Sequence, residues 1–150
     1  MPLEFSRYAK RERRTVPVRE GYALWAETYD ATVPSPADYG LLERVNAVPW
    51  DRVRTAADLA CGTGRTGAWL LAHGVGVVDG VDCTPEMLVR AANTGIYRGL
   101  ELGNLHHCSF PAHAYDLVTC VFAACHLPGL GRLYSEEAHL AQPEDRKSVV

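Results

Sequence analysis

The sequence predicts an α/β domain whose mostly parallel, doubly wound sheet carries helices on both faces. After residue 50, short apolar runs alternate with helical stretches, which is typical of βαβ units joined by right-handed crossovers. The runs are largely apolar, as expected of strands buried on both faces. A glycine cluster follows the first run, where the strand gives way to a helix. The length of 150 residues fits one domain with one core.

Two helices are predicted before residue 50. In the first, aromatic and small residues recur at helical spacing: Tyr22, Trp25, Ala26 and Tyr29. The second begins with Ser35 as its N-cap and Pro36 in its first turn, and it ends near Pro49. We expect residues 1–19 to form a basic N-terminal arm and residues 20–150 to form the domain.

Four strands and three further helices are predicted after residue 50. The strands are short apolar or β-branched runs at 55–59, 75–81, 100–102 and 115–122. The helices occupy 68–72, 84–91 and 129–141, and the second of them has Pro85 and Glu86 in its first turn. Residues 147–150 are expected to begin a fifth strand.

Composition and charge exclude several classes of protein. The net charge of −3 argues against a globally basic nucleic-acid binder, and we interpret the basic arm as a solvated terminus. Five cysteines without a C-x-x-C pair argue against a disulfide framework and against a zinc site. No apolar stretch reaches the roughly 18 residues of a membrane span. The sequence therefore predicts a cytoplasmic protein that holds no metal and contacts no membrane.

Three glycines after the first strand form a candidate ligand-binding loop. Gly62, Gly64 and Gly67 have the spacing G-x-G-x-x-G, which lets the backbone turn tightly and approach a ligand. The spacing alone would equally suit a nicotinamide or flavin dinucleotide. Asp82 ends the second strand, where a carboxylate can bind ribose hydroxyls. Asp58 ends the first strand, where an acid suits a ligand with an ammonium group.

Each of these features also has a plain structural interpretation. Asp58 could be a surface acid, Asp82 a helix cap and the glycines turn residues. The aromatic residues Tyr22, Trp25 and Tyr29 could belong to a core stripe. The order of these features along the chain is more specific than any one of them. A pocket at the carboxyl edge of a sheet requires an acid, a glycine loop, a helix, a strand and a second acid in this order.

The segment Asp58-Leu59-Ala60-Cys61-Gly62-Thr63-Gly64 resembles the first motif of class I S-adenosyl-L-methionine (SAM)-dependent methyltransferases. The likeness continues through 81–88, similar to the second motif V-D-x-S-x-x-M-L, and through Gly103-Asn104, Phe110-Pro111 and 115–118. The segment 22–30 is similar to the Y-x-x-W-A-x-x-Y-D sequence that covers the cofactor in many small-molecule methyltransferases. The resemblance spans about residues 20–150 and implies a Rossmann-like fold.

This resemblance implies SAM as the cofactor. The cofactor-binding residues that it implies are Tyr29, Asp58, Ala60, Gly62, Gly64, Asp82, Cys83, Met87 and Asn104. Among them, Asp58 would lie by the methionine ammonium, Asp82 would bind the ribose diol and Met87 would pack on the adenine. Asn104 stands where the family often has an acid, and its side-chain carbonyl can still accept a hydrogen bond from the adenine amine.

His126 follows the fourth strand, where the family places residues near the transferred methyl group. Its unperturbed pKa near 6.5 suits proton removal at neutral pH, which makes it the candidate catalytic residue. A loop histidine that caps the following helix is the alternative. The reaction implied is methyl transfer from SAM to an unidentified, small-molecule acceptor.

Two other functions remain open on the residues alone. One is a non-catalytic SAM-binding or partner-binding homologue, and the other is an NAD-dependent oxidoreductase, which Asp58 disfavours. The turn at Pro143-Glu144-Asp145 lacks the family's glycines, and the sheet is predicted to be incomplete at its C-terminal edge. We therefore expect this chain alone to bind cofactor weakly and to turn over poorly or not at all.

Overall fold

Helices and strands alternate along the chain in the computed structural model, which describes residues 15–33, 40, 44, 47–143 and 148–149. The helices are α1 (Val18–Trp25), α2 (Tyr29–Thr32), α3 (Arg65–Ala72), α4 (Pro85–Asn93) and α5 (Gly131–Leu140), with a short 3-10 helix at Ala124–His126. The strands are β1 (Thr55–Leu59), β2 (Val77–Asp82), β3 (Gly99–Leu102), β4 (Leu117–Cys120) and β5 (Ser148–Val149).

The five strands form one parallel sheet in the order β3-β2-β1-β4-β5. The order reverses between β1 and β4, so the crevice where ligands bind in doubly wound sheets lies beyond the carboxyl ends of these two strands. The predicted fold class is confirmed, including the sheet that does not close. In the described part of the chain, none of the helices has the length and apolar character needed to cross a membrane.

Both faces of the sheet are covered. One face packs Ala56, Val78 and Leu117 against Trp69 and Leu70 of α3. On the other face, strand residues pack against Leu133 and Leu140 of α5. Alternate residues of β1 therefore enter two separate apolar clusters, as the period of a strand requires.

The N-terminal helix is broken where a continuous helix was expected. α1 ends at Trp25 and α2 begins at Tyr29, because Thr28 adopts φ −109° and ψ 0°, outside the helical range. The helical spacing of the apolar residues continues across this break, so the sequence pattern did not indicate where the helix is interrupted. α1 already begins at Val18, inside the segment predicted as the arm, and residues 1–14 lie outside the described residues. Most of the helix predicted from Ser35 also lies outside them.

The fourth strand is shorter than predicted at both ends. Tyr115 pairs only through an isolated bridge with Ala141, and Phe122 adopts φ 60°, a left-handed conformation that cannot continue a strand. β2 begins two residues later than predicted, because Gly76 donates its amide to the Arg54 carbonyl outside the ladder.

Two neighbouring leucines of α3 test the packing of this face. Leu70 is fully buried, whereas 44% of Leu71 is exposed. Leu70→Ala should lower the free energy of unfolding by about 2 to 5 kcal/mol because it leaves a cavity under the helix. Leu71→Ala should change it by no more than about 0.5 kcal/mol. Urea denaturation of both variants measures the difference, and equal losses would contradict the orientation of α3.

Candidate functional site

A cavity of about 1050 Å³ lies at the carboxyl edge of the sheet. Its walls come from the loops that follow β1, β2, β3 and β4 and from helices α1 and α2. The lining residues include nearly all of those singled out from the sequence: Tyr29, Ala60, Gly62, Asp82, Cys83, Met87, Asn104 and His126. The parallel strands thus bring together residues that are far apart in the sequence.

The glycine loop turns through left-handed backbone conformations. Ala60, Gly62 and Gly64 have φ values of 57°, 54° and 98°. Glycine adopts such values without steric cost, whereas Ala60 does so under strain. The Gly64 amide donates to the Cys61 carbonyl at 3.0 Å, and Gly64 then precedes the first residue of α3. At Ala60 and Gly62 the loop therefore brings its backbone close to the cavity.

Asp82 connects the glycine loop to the helix after β2. One carboxylate oxygen accepts the Gly62 amide at 2.9 Å, and the other accepts the Thr84 amide at 2.8 Å. A carboxylate has about four acceptor positions. Two are thus left for a ligand, and Asp82 lines the cavity. The helix-cap and ligand-binding interpretations of Asp82 are compatible.

Asp58 lies beneath the glycine loop and does not line the cavity. Only 1% of it is exposed, and its two oxygens accept hydrogen bonds from the Tyr97 hydroxyl at 2.7 Å and the Thr119 hydroxyl at 3.0 Å. Burial raises the pKa of Asp58 to about 7, although both hydroxyl donors oppose the shift. The surface-acid interpretation of Asp58 is wrong, because the side chain is buried and separate from the cavity lining.

Three aromatic rings of α1 and α2 line the cavity. Tyr22, Trp25 and Tyr29 pack against one another, with the Trp25 and Tyr29 rings edge to face at 4.9 Å. Asp30 accepts a hydrogen bond from the Thr63 hydroxyl at 2.7 Å. This bond fastens α2 to the glycine loop.

His126 lies on the 3-10 helix after β4 and contacts this aromatic wall. Its Nε2 is 2.9 Å from the Tyr22 hydroxyl, and the two rings meet edge to face. Burial is the main cause that raises the pKa of Tyr22 above its usual value. The Tyr22 hydroxyl therefore stays protonated at neutral pH and can donate to a neutral His126 ring. The alternative interpretation of His126 as a helix cap is not supported. The N-cap residue of α5 is Leu130, and the helix has no side-chain cap hydrogen bond.

The remaining predicted residues lie on the β2 and β3 side of the cavity. Met87 is almost fully buried and lines it, as does the exposed Cys83. The Asn104 side-chain carbonyl accepts the His106 amide at 3.0 Å, so only part of its acceptor capacity remains for a ligand. Gly64 precedes α3 but is not among the lining residues.

Sequence patterns did not reveal four residues that build this site. Thr63 and Arg65 line the cavity, whereas Tyr97 and Thr119 hold Asp58. Thr63 and Arg65 stand inside the glycine motif, and their position was a usable signal. Tyr97 and Thr119 carry no local signal, because their roles depend on contacts across the fold. Within the described residues, no three histidine, cysteine or acidic side chains gather as a metal site requires.

Comparison with known proteins decides the family. A model of the methyltransferase domain matches residues 56–144, more than half of the chain. The chain belongs to the methyltransferase-domain family. The match covers the glycine loop, Asp82 and His126, so the predicted resemblance is confirmed. No curated protein matches the sequence.

Several solved structures share the fold of this methyltransferase domain. An S-adenosylmethionine-dependent methyltransferase from Mesorhizobium loti is 26% identical with a TM-score of 0.62, over 73% of this chain and 50% of that one. The YcgJ protein of Bacillus subtilis is 24% identical with a TM-score of 0.57, over 71% and 46%. The methyltransferase of Haloferax volcanii in complex with the Trm112 activator is 19% identical with a TM-score of 0.66, over 81% and 56%.

The chain spans about half the length of the solved structures that it matches. At identities below 25%, the last two show the fold alone. The domain match and the S-adenosylmethionine-dependent neighbour confirm SAM as the cofactor at the level of the family.

The buried Asp58 predicts a pH dependence of stability. Its pKa is about 7 in the folded chain and about 3.9 in the unfolded chain. Between these values the folded state binds more protons, so the free energy of unfolding falls as pH rises. Asp58→Asn removes this effect. The measured quantity is the free energy of unfolding of the unsubstituted chain minus that of the variant. It should fall by a few kcal/mol between pH 4 and 7, because each unit of pKa difference corresponds to about 1.4 kcal/mol.

Urea denaturation at pH 4.5, 6 and 8 measures this difference. It should be largest at pH 4.5 and level off above pH 7. A difference that stays constant over this range would mean that Asp58 ionises as an ordinary exposed acid.

Proposed function

We propose that this chain binds SAM in the cavity at the carboxyl edge of the sheet and transfers its methyl group to a small-molecule acceptor. The observation that carries the proposal is the Asp82 carboxylate, which is fastened to the glycine loop and still exposes acceptor positions to the cavity. The match to the methyltransferase domain over this same segment supports it.

The residues of the cavity fit this cofactor. The backbone at Ala60 and Gly62 leaves room for close approach of a ligand, and Asp82 can accept both hydroxyls of a ribose diol. Met87 offers an apolar surface for adenine, and Asn104 offers an amide beside it. Asp58 would act from beneath the loop by its charge on the ammonium group, not by direct contact.

When bound, SAM supplies a methyl group that its positive sulfur already activates, so the protein mainly has to align the acceptor and exclude water. Tyr22, Trp25 and Tyr29 provide the apolar wall for this purpose. The cavity lies at the upper end of the roughly 300 to 1000 Å³ found for ligand pockets. It has room for a cofactor together with a small acceptor.

We assign the removal of the acceptor's proton to His126 and Tyr22. As the acceptor loses its proton to the Tyr22 oxygen, the Tyr22 hydroxyl proton moves to Nε2 of His126 along their existing hydrogen bond. The tyrosine is neutral before and after this transfer, and the proton ends on the imidazole. The high pKa of Tyr22 keeps its hydroxyl protonated until the histidine accepts the proton.

Asp82→Ala tests the cofactor site. We expect it to weaken SAM binding by about 1 to 3 kcal/mol, because it removes a charged hydrogen-bond partner. Asp51→Ala, on the exposed turn before β1, makes the same change of charge outside the cavity and should leave the affinity unchanged. Isothermal titration calorimetry measures both, and equal affinities for SAM would remove Asp82 from the site.

His126→Gln tests the proton-transfer role. It should slow methyl transfer by about 100- to 10,000-fold, the usual contribution of an acid–base group, while SAM affinity stays unchanged. His107→Gln is the matched control, because His107 is exposed and does not line the cavity. Formation of the demethylated cofactor product is followed with a panel of phenols, amines and thiols. Equal rates of methyl transfer in His126→Gln and His107→Gln would contradict the catalytic role.

A further inference from the structure

The ring of Tyr97 occupies a socket that three glycines leave open. A methyl group on Gly67 would lie 2.5 Å from the Tyr97 hydroxyl, and one on Gly80 would lie 2.8 Å from the ring. One on Gly64 would approach the ring to 3.2 Å. Distances below 3.0 Å are too short for real contacts, so Gly67 and Gly80 must lack side chains for Tyr97 to fit as it does.

The socket gives the Tyr97 hydroxyl access to Asp58. Their hydrogen bond is 2.7 Å long, and Thr119 of β4 donates to the other oxygen of the same carboxylate. The glycine loop begins at Ala60, only two residues after Asp58. Tyr97 therefore touches the loop on its α3 side, at Gly64 and Gly67, and also controls the carboxylate on which the loop rests.

We propose that Tyr97 is a positioning residue for the cofactor loop: its ring fixes the glycine backbone, and its hydroxyl holds the Asp58 side chain beneath the bound SAM. This inference rests on the proposed function and assigns a new role to two glycines. The third glycine of the motif, Gly67, and Gly80 on the next strand make room for Tyr97, not for the cofactor.

If Tyr97 only stabilised the fold, its hydroxyl would affect stability but not the pH dependence of SAM binding. The positioning role predicts an effect on both. A hydrogen bond to a carboxylate favours its charged form, and the Tyr97 bond does lower the pKa of Asp58 against the larger effect of burial. Loss of the hydroxyl should therefore raise the pKa of Asp58 and leave less carboxylate at neutral pH. Because SAM is cationic, its affinity should then fall, and the pH at which binding strengthens should rise.

The other ionisable groups near Asp58 do not account for such a shift. They are Cys61 in the loop, Cys120 of β4, Asp82 of β2 and Tyr97 itself. Burial raises the pKa values of Cys61, Cys120 and Tyr97, so these three stay neutral through the neutral range. Asp82 accepts its hydrogen bonds from the Gly62 and Thr84 amides, not from Tyr97, and it is the same in every variant used below.

The structure supplies a matched control for a Tyr97→Phe substitution. Tyr115 donates to the buried Asp79 at 2.8 Å, which is also a tyrosine–aspartate hydrogen bond that anchors an acid of the sheet. Neither Tyr115 nor Asp79 lines the cavity. Tyr97→Phe and Tyr115→Phe each keep the ring and lose one hydroxyl, so both should lower the urea midpoint.

Calorimetric titration with SAM from pH 6 to 9, together with amide hydrogen exchange of residues 58–67 in the free protein, separates the two variants. For Tyr97→Phe we expect about tenfold weaker SAM binding at pH 7.5, a higher pH midpoint and faster exchange in the loop. For Tyr115→Phe, affinity, midpoint and loop exchange should all match the unsubstituted chain. Gly67→Ala should reproduce the Tyr97→Phe result, since its methyl group displaces the hydroxyl.

The result that overturns the proposal is a folded Tyr97→Phe chain whose SAM affinity, pH midpoint and loop exchange equal those of Tyr115→Phe. Unchanged SAM affinity in Gly67→Ala would likewise contradict the role assigned to Gly67. If the unsubstituted chain binds no SAM, the proposed function fails by itself. Loop exchange then still decides the role of Tyr97, because it is measured without the cofactor.

Discussion

The site depends on the parallel pairing of β1 with β2 on one side and with β4 on the other. The pairs Leu59 with Val81 and Leu59 with Cys120 bring three strands to their carboxyl ends at one level of the sheet. The glycine loop, Asp82 and the His126 segment follow these ends directly. A five-residue strand is about 17 Å long, so an antiparallel neighbour would place its polar residues at the opposite edge.

Two buried acids connect the elements of this arrangement through hydrogen bonds on opposite faces of the sheet. Asp58 of β1 is held by Tyr97 and Thr119, whereas Asp79 of β2 is held by Tyr115 and by a salt bridge with Arg98. An unpaired buried charge would be strongly destabilising, and in each acid both carboxylate oxygens accept hydrogen bonds. Only the Asp58 group lies under the cavity. Its hydrogen-bond partners are the neutral hydroxyls of Tyr97 and Thr119. The negative charge of Asp58 is therefore available to attract a cationic ligand above it.

The sequence predicted the parts of the site that are close together along the chain. Asp58 and the glycines lie within one motif, and Asp82 follows the next apolar run, so strand and loop patterns were sufficient to place them. Three other contacts were beyond any local pattern. They are Tyr97 with Asp58, Thr119 with Asp58 and Asp30 with Thr63, which join residues 39, 61 and 33 positions apart. Such contacts follow from how crossovers stack on the sheet, which spacing in the sequence does not encode.

Calorimetric titration of the chain with SAM, with its demethylated product and with NAD tests the account most directly. Asp82, the glycine loop and the buried Asp58 predict that both sulfur nucleosides bind in the cavity and that NAD binds more weakly than either. Tighter binding of NAD than of SAM and its product would contradict the account.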